Sequence, residues 1–332
     1  MWSGITSRVI ISHPNSSAIV KTASGGGEYN IYFLILPNLF VFFTYSELIL
    51  LSKDIKKMPR SIDESLRGWN WNEPPVYSPS MSQVSVSELG YCSTLRNIYL
   101  KQKGYKGEVG TQILMGSMVH TVYARAIESI KRIVYLQQDI SGDRLKTLMT
   151  DEFYSVLREF ESLGQYAKVL WDHITNIYSA ELDKIRSKFS NITRDSLVSI
   201  LVPFYVEFPV DGSLVGLSSS LRVDAFVPFI PLIAEMKSGK YKYYHELSLA
   251  GYALAVESQY EIPVDFGYLC YVNVSEKEVR SNCKLIHIND SLRSEFLELR
   301  DKGIEIIDKG IDPGVAEGCE KECVFYKVCH PS

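Results

Sequence analysis

The hydrophobic and polar positions divide the chain into three textures. From Thr44 apolar residues recur at Leu48, Leu51 and Ile55, a helical spacing. Leu114, Met118, Val122, Ala126, Ile130 and Val134 carry the same period across Gln112 to Leu136, the clearest helix of the chain, and another helical stretch runs from about Arg144 to Phe189. After Asp195 the pattern changes to short β-branched and aromatic runs: Val198 to Val210, Leu221 to Phe229, Leu232 to Lys237, Val264 to Val274 and Leu285 to Ile288. These predict the strands of a sheet. A helix over Tyr244 to Ser258 interrupts it, and a polar helix over Asp290 to Lys309 leads into a cysteine-rich tail. The order is helices, then a mixed α/β core, then a metal-binding tail, with no internal repeat.

Between the periodic segments the chain is irregular. Residues 1–40 carry Ser, Gly and Asn clusters (Asn15 to Ser17, Gly25 to Gly27) without a sustained period, and little order is expected there. The apolar run from Ile31 to Phe43 is broken by Pro37 and Asn38 and falls short of the roughly 20 apolar residues of a membrane span. No membrane association is expected; a weak anchor is one reading of this run, and a reading frame that truly begins near Val41 is another. The stretch from Arg67 through Trp69 and Trp71 to Pro75 predicts irregular backbone held by buried aromatics. Ser85 or Ser87 offers a helix cap before Tyr91 and Cys92. The division expected is 1–40, a helical region at 41–195, a mixed α/β core at 196–289, and a terminal helix with the cysteine segment at 290–332.

Composition changes this picture little. With 332 residues, 46% hydrophobic and 22% charged, the chain is globular and neither fibrous nor disordered. A formal charge of -4 leaves no global footprint for nucleic acid, so any such contact must come from a local basic groove. Six cysteines without a signal peptide fit a reducing cytoplasm, where thiols serve as metal ligands or core residues and disulfides are the minor reading.

Arg222-Val223-Asp224-Ala225-Phe226 carries the main chemical signal, followed eleven residues after Asp224 by Glu235-Met236-Lys237. In a strand, side chains alternate, so Glu235 and Lys237 share a face and Met236 points away. A turn through Pro228 to Pro231 would set Asp224 beside Glu235, and two adjacent carboxylates favour a hard divalent cation, Mg²⁺ or Mn²⁺. Such an ion polarises a phosphate oxygen and lowers the pKa of its water, with Lys237 orienting the nucleophile or neutralising charge on phosphorus. An E-x-K triplet alone arises by chance in many chains. His120, one turn after Gly116 in the clearest helix, is a candidate metal ligand, or else a histidine filling a polar spot. Tyr252 follows the motif on the next helix, near Ser248 and His245, as a site residue or a packing aromatic. Lys240-Tyr241-Lys242-Tyr243-Tyr244 could track phosphates and stack bases of a single strand, with Lys240 and Lys242 as the contacts, or form a solvated turn.

Cys319, Cys323 and Cys329 cluster in the tail among Gly, Glu, Lys and aromatic residues. Three thiols want a metal, and a zinc ion or a cubane cluster needs a fourth ligand, for which Cys92 is the free candidate. One remote cysteine plus a terminal triplet fits an iron–sulfur cluster better than the paired knuckles of zinc, though His330 keeps a zinc site open. Cys270 and Cys283 lie in strand-like runs and are assigned to packing.

In order along the chain, Cys92, Gly116-x-x-x-His120, Asp224, Glu235-x-Lys237, Tyr252 and the terminal cysteine triplet resemble the CRISPR-associated RecB-family exonucleases with a C-terminal iron–sulfur domain. The Arg67 to Pro75 stretch and the length resemble the variant of archaeal type I-A systems. The resemblance covers about Thr44 to His330. It implies a restriction-endonuclease-like PD-(D/E)XK mixed sheet, an α/β (α+β) fold with a helical N-terminal region and an iron–sulfur domain. His120, Asp224, Glu235 and the Met236 carbonyl would then bind the catalytic metal, Lys237 would be catalytic, and Cys92, Cys319, Cys323 and Cys329 would hold a 4Fe–4S cluster. The implied activity is trimming of single-stranded DNA ends for spacer integration, with an integrase complex as partner. A non-catalytic DNA-end-binding adaptor and a RecB-type repair nuclease are the alternatives. Two positions depart from the family pattern. Ser248 stands where a glutamine usually precedes the tyrosine by four residues, and three residues instead of two separate Cys319 from Cys323.

Overall fold

The computed structural model describes residues 43–58, 61–137 and 139–331. The expectations for residues 1–40, for a start near Val41 and for the Ile31 to Phe43 run up to Phe43 lie outside the described residues. Helix α1 (Tyr45–Ile55) opens with a reciprocal cap in which Thr44 accepts from the Glu47 N–H and the Glu47 carboxylate accepts from Thr44; it buries Leu48, Leu51 and Ile55. Ser85 caps only a short 3₁₀ turn, Val86–Glu88. Tyr91 and Cys92 lie in turns, and helix α2 (Arg96–Gln102) starts after them.

Helix α3 (Thr111–Leu136) matches the expected span and buries Met118, Val122, Ala126, Ile130 and Val134. The stretch expected as one helix over Arg144 to Phe189 is two, α4 (Gly142–Leu157) and α5 (Gly164–Lys188), with an irregular link and a 3₁₀ turn between them. The run expected to start a strand at Val198 begins instead as helix α6 (Arg194–Leu201). Thr193 caps it by accepting the Ser196 N–H, and Asp195 favours the positive end of the helix dipole.

Strands β1 (Tyr205–Val210), β2 (Leu221–Val227), β3 (Leu232–Lys237), β4 (Phe266–Val274) and β5 (Val279–His287) form one sheet in sequence order. All neighbours are antiparallel except β3 and β4, which are parallel. A parallel pair cannot close through a tight turn, and helix α7 (Tyr244–Tyr260) makes the crossover. One face of the sheet packs on α1 and α3 to α6 through Ala234, Met236, Tyr268 and Val272; the other packs on α7 and on α8 (Asp290–Lys309) through Ile233, Leu269 and Phe296. Helix α7 is therefore buried nearly all round.

The Arg67 to Pro75 stretch is held by ions more than by rings. Trp71 is exposed and Trp69 half-buried, whereas Arg67 and Gly68 are buried. Glu257 of α7 accepts from Arg67 (2.8 Å), from both terminal nitrogens of Arg293 (2.7 and 2.9 Å), and from the backbone of Gly68 and Val264. A Cβ on Gly68 would sit 2.1 Å from the Leu254 carbonyl oxygen, so the residue type is fixed by close approach. Arg300 of α8, equally buried, donates to the carbonyls of Pro75, Val76, Tyr77 and Val215. The linker is thus tied to α7 and α8.

Cys270 and Cys283, assigned to packing, are joined by a disulfide across β4 and β5. They are direct partners in the hairpin register. The positions are equidistant from the Ser275 to Glu278 turn, a signal the sequence held. Among the described residues no helix is long and apolar enough to cross a membrane.

Candidate active site

The β2–β3 hairpin builds the acidic pair. Its register runs Val227 to Leu232, Phe226 to Ile233 and Ala225 to Ala234, so Asp224 and Glu235 face each other at the next step. Oδ2 of Asp224 accepts the Met236 N–H at 2.6 Å, and Oε2 of Glu235 accepts from Nζ of Lys237 at 2.8 Å. Met236 itself turns into the opposite core. The alternation expected from the motif is the one observed.

Helix α3 brings His120 to this hairpin, its Nδ1 3.0 Å from Oδ1 of Asp224. That distance is also the spacing of two neighbouring ligands on one octahedral ion with bonds of about 2.1 Å. Gly116, one turn before His120, lies against Ser238: a Cβ there would sit 3.0 Å from the serine Oγ.

Sequence reasoning missed Glu207. It stands on β1 across from Asp224, between the registered pairs Val206–Ala225 and Phe208–Val223, with a left-handed φ of 49°. The sheet changes face there: Phe204 and Val206 pack on the α3 side, Phe208 and Val210 on the α7 side. One ligand atom each of His120, Glu207 and Asp224 lie within 4.8 Å of one another, a grouping able to hold a metal ion. A lone carboxylate between Val206 and Phe208 in a strand run was the available signal. A cavity of about 360 Å³ adjoins the group, lined also by Ser117, Thr121, Arg125 and Arg222.

The charges are unequal. Burial and the neighbouring Asp224 push the Glu235 carboxyl up, against the pull of Lys237. Burial acts on Asp224 in the same sense, but His120, Lys237 and the Met236 N–H outweigh it and hold its carboxyl below the usual range. Burial would lower both His120 and Lys237; Asp224 instead raises His120, and Glu235 with Asp224 pushes Lys237 up to about 12. Lys237 is therefore a fixed cation and cannot act as a base at neutral pH.

Tyr252 of α7 is buried, its hydroxyl raised by burial and by the charges of Glu235, Asp224 and Glu207, so it borders the acids from the other side of the sheet. Ser248 donates back to the Tyr244 carbonyl of its own helix at 3.1 Å. His245, lowered to about 4 mainly by burial, shares a 2.6 Å hydrogen bond between its Nδ1 and the Tyr271 hydroxyl. Of the two loop lysines, Lys242 is ion-paired with Glu320 of the cysteine tail, while no hydrogen bond or ion pair to a described residue holds Lys240.

Four of the cysteines are free. Cys319 is pushed up to about 11 by burial, then by Cys323, Cys329 and Cys92, so the four thiols lie close enough to feel one another. Burial raises Cys92, but a bond with Thr94 and the N–H groups of Thr94, Arg96 and Asn97 outweigh it and lower its pKa. Arg96 is paired with Asp312 at 2.7 Å, and the Tyr91 hydroxyl accepts the Val324 N–H at 3.2 Å, next to Cys323 in the chain. Helix α9 (Tyr326–Cys329) ends on the last thiol.

Residues 41–332 match the family described as CRISPR-associated exonuclease Csa1. A protein of that name from Saccharolobus solfataricus is 70% identical over 292 residues, 88% of this chain and 100% of that protein. Another from Thermoproteus tenax is 29% identical over 276 residues, 82% of this chain and 92% of its own. With the match spanning nearly the whole chain, the protein belongs to the CRISPR-associated exonuclease Csa1 family.

Proposed function

We propose that the protein is a metal-dependent DNA exonuclease that trims single-stranded ends and prepares spacers for integration during CRISPR adaptation. The observation that carries this reading is the convergence of Asp224, Glu235, Lys237 and His120 from α3, β2 and β3. A helix packed on a hairpin that carries these groups supports a PD-(D/E)XK-type core, and the family's name supports the exonucleolytic outcome.

The donor set fits a hard divalent ion, because two buried carboxylates repel each other less with a cation between them and a neutral imidazole beside them offers a nitrogen lone pair. His120, Asp224, Glu235 and the Met236 carbonyl would hold Mn²⁺ or Mg²⁺, which supplies an acidified water and polarises the phosphate. Lys237, cationic and fixed on Glu235, neutralises charge developing on phosphorus. Tyr252 lines the acids on the α7 side, and Lys240 meets the phosphate backbone beyond them.

Cys92, Cys319, Cys323 and Cys329 hold a 4Fe–4S cluster in this reading, supported by the proximity of their charges and by the N–H groups aimed at Cys92. The cluster would tie the start of α2 to the tail. An integrase complex is the expected partner, and the cytoplasm the compartment.

Replacing Glu235 with alanine should abolish Mn²⁺-dependent degradation of single-stranded DNA, and undiminished cleavage would rule the assignment out. A second reading, a non-catalytic adaptor that binds DNA ends, is favoured by Ser248, whose hydroxyl is spent on its own helix. That reading requires DNA binding without cleavage in any metal. A RecB-type repair nuclease would share the chemistry, and family membership favours the CRISPR setting.

A further inference from the structure

We propose that Ile113 and Leu114 form a nucleotide subsite at the mouth of the candidate active site, where the base of an unpaired nucleotide rests on the two side chains and its phosphate meets Lys240. The inference rests on the nuclease reading and adds to it a grip on the strand away from the reacting phosphate.

The subsite follows from the face of α3 that lines the cavity. Ser117, His120, Thr121, Ala124 and Arg125 form that lining. Neighbours on one helical face stand three or four residues apart. The same face therefore continues to Ile113, four residues before Ser117 and seven before His120, and to Leu114, seven before Thr121. At 1.5 Å per residue, Ile113 lies about 10 Å along the axis from His120. Both side chains stand in solvent, Ile113 41% and Leu114 47% exposed. The buried stripe of α3 begins only at Met118, so Leu114, which by period belongs with Met118 and Val122, is carried past the edge of the packed layer.

The loop after β3 supplies the charge. Gly116 lies against Ser238, so the loop that carries Lys240 leaves the sheet beside the first turns of α3. The first turn of α3 holds no acidic residue, and Glu108 just before the helix is paired with Lys327. A protein partner needs about 20–30 residues a side. Two aliphatic side chains beside a lysine match instead the size and the two chemistries of one nucleotide, an apolar base face and an anionic phosphate. Isoleucine and leucine are among the side chains that proteins set between bases to unstack them. They read no hydrogen-bonding edge, so the contact is indifferent to sequence. They reach a base face only where the strand is neither paired nor continuously stacked, which makes the subsite selective for single strands.

The test is fluorescence anisotropy of the anaerobically purified full chain with single-stranded oligonucleotides in which one abasic nucleotide is moved stepwise from the end, with Ca²⁺ in place of Mn²⁺ so that the DNA stays intact. The wild type should lose roughly tenfold in affinity when the missing base falls at one position within about three nucleotides of the end, given about 3.4 Å per stacked nucleotide and a base contact of ordinary strength. Ile113→Ser combined with Leu114→Ser should bind the intact strand roughly tenfold more weakly and lose that position dependence. It should keep the wild-type slope of log affinity against log salt, because an apolar contact releases no counterion. Ile113→Leu combined with Leu114→Met should restore the affinity. A wild type indifferent to every missing base, or a double serine variant that binds as the wild type does, overturns the subsite, leaves the nuclease reading standing and assigns the exposed pair to a protein partner. A wild type that binds no single-stranded DNA overturns both. Should the double serine variant fail to fold, the abasic scan of the wild type decides alone.

Discussion

His120 of α3 and Asp224 of β2 meet with 3.0 Å between Nδ1 and Oδ1, joining the helical region to the sheet at the one place where a cation could replace their hydrogen bond. The contact makes metal binding a competition with a proton. Asp224 raises the pKa of His120, and burial with Asp224 raises that of Glu235, so both groups hold protons more tightly folded than unfolded. Without metal, their contribution to stability is present at acid pH and lost as pH rises from the ordinary glutamate range through neutrality. A metal ion needs both groups deprotonated. Mn²⁺ affinity should therefore increase between about pH 6 and pH 8, with protons released on binding. Calorimetry in two buffers of different ionisation enthalpy measures the release, and a pH-independent affinity without proton release would contradict the assignment.

Lys240 and Lys242 should differ. Lys242 is already neutralised by Glu320, whereas Lys240 is unengaged by the described residues. Lys240→Ala should weaken binding to single-stranded DNA and lower the slope of log affinity against log salt by about 0.7, the contribution of one phosphate contact. Lys242→Ala should change the slope less. Fluorescence anisotropy across a salt series separates them, and identical slopes would refute the distinction.

Arg293→Ala should destabilise the fold strongly. It removes a two-pronged partner from Glu257, which is fully buried, and leaves that carboxylate with Arg67 as its only ion-pair partner among the described residues. Losing one partner of a buried pair costs about 3–5 kcal/mol. Denaturant unfolding tests this, and a loss under about 1 kcal/mol would mean that the linker is held by other contacts.

Cys92→Ala should remove the fourth thiol and with it most of the bound iron and sulfide. Metal analysis of anaerobically purified protein distinguishes the outcomes. Full retention of iron and sulfide in the variant would place the cluster elsewhere, and zinc in their stead would favour the tetrahedral alternative.

The parts of the fold that follow from short-range pattern were legible in the sequence. Helix α8 spans the expected Asp290 to Lys309, and the shared face of Glu235 and Lys237 followed from strand alternation. What needed a register was not legible. Glu207 becomes a neighbour of Asp224 only through the pairing of β1 with β2, whereas the equal spacing of Cys270 and Cys283 about the Ser275 to Glu278 turn left a readable trace of theirs. Helix α6 has a Thr193 cap, which the strand reading of the β-branched run from Val198 left out of account. The ion pair of Lys242 with Glu320 joins a loop to the distant tail, and no local pattern encodes such a contact.

The most direct measurement is end-labelled linear and circular single-stranded DNA incubated with Mn²⁺ and either the wild type or Asp224→Asn, with circular dichroism confirming equal folding. The proposed nuclease degrades the linear strand progressively, spares the circle, and loses at least about a thousandfold in rate in Asp224→Asn. Cleavage by the variant at the wild-type rate would contradict the metal centre at the β2–β3 hairpin.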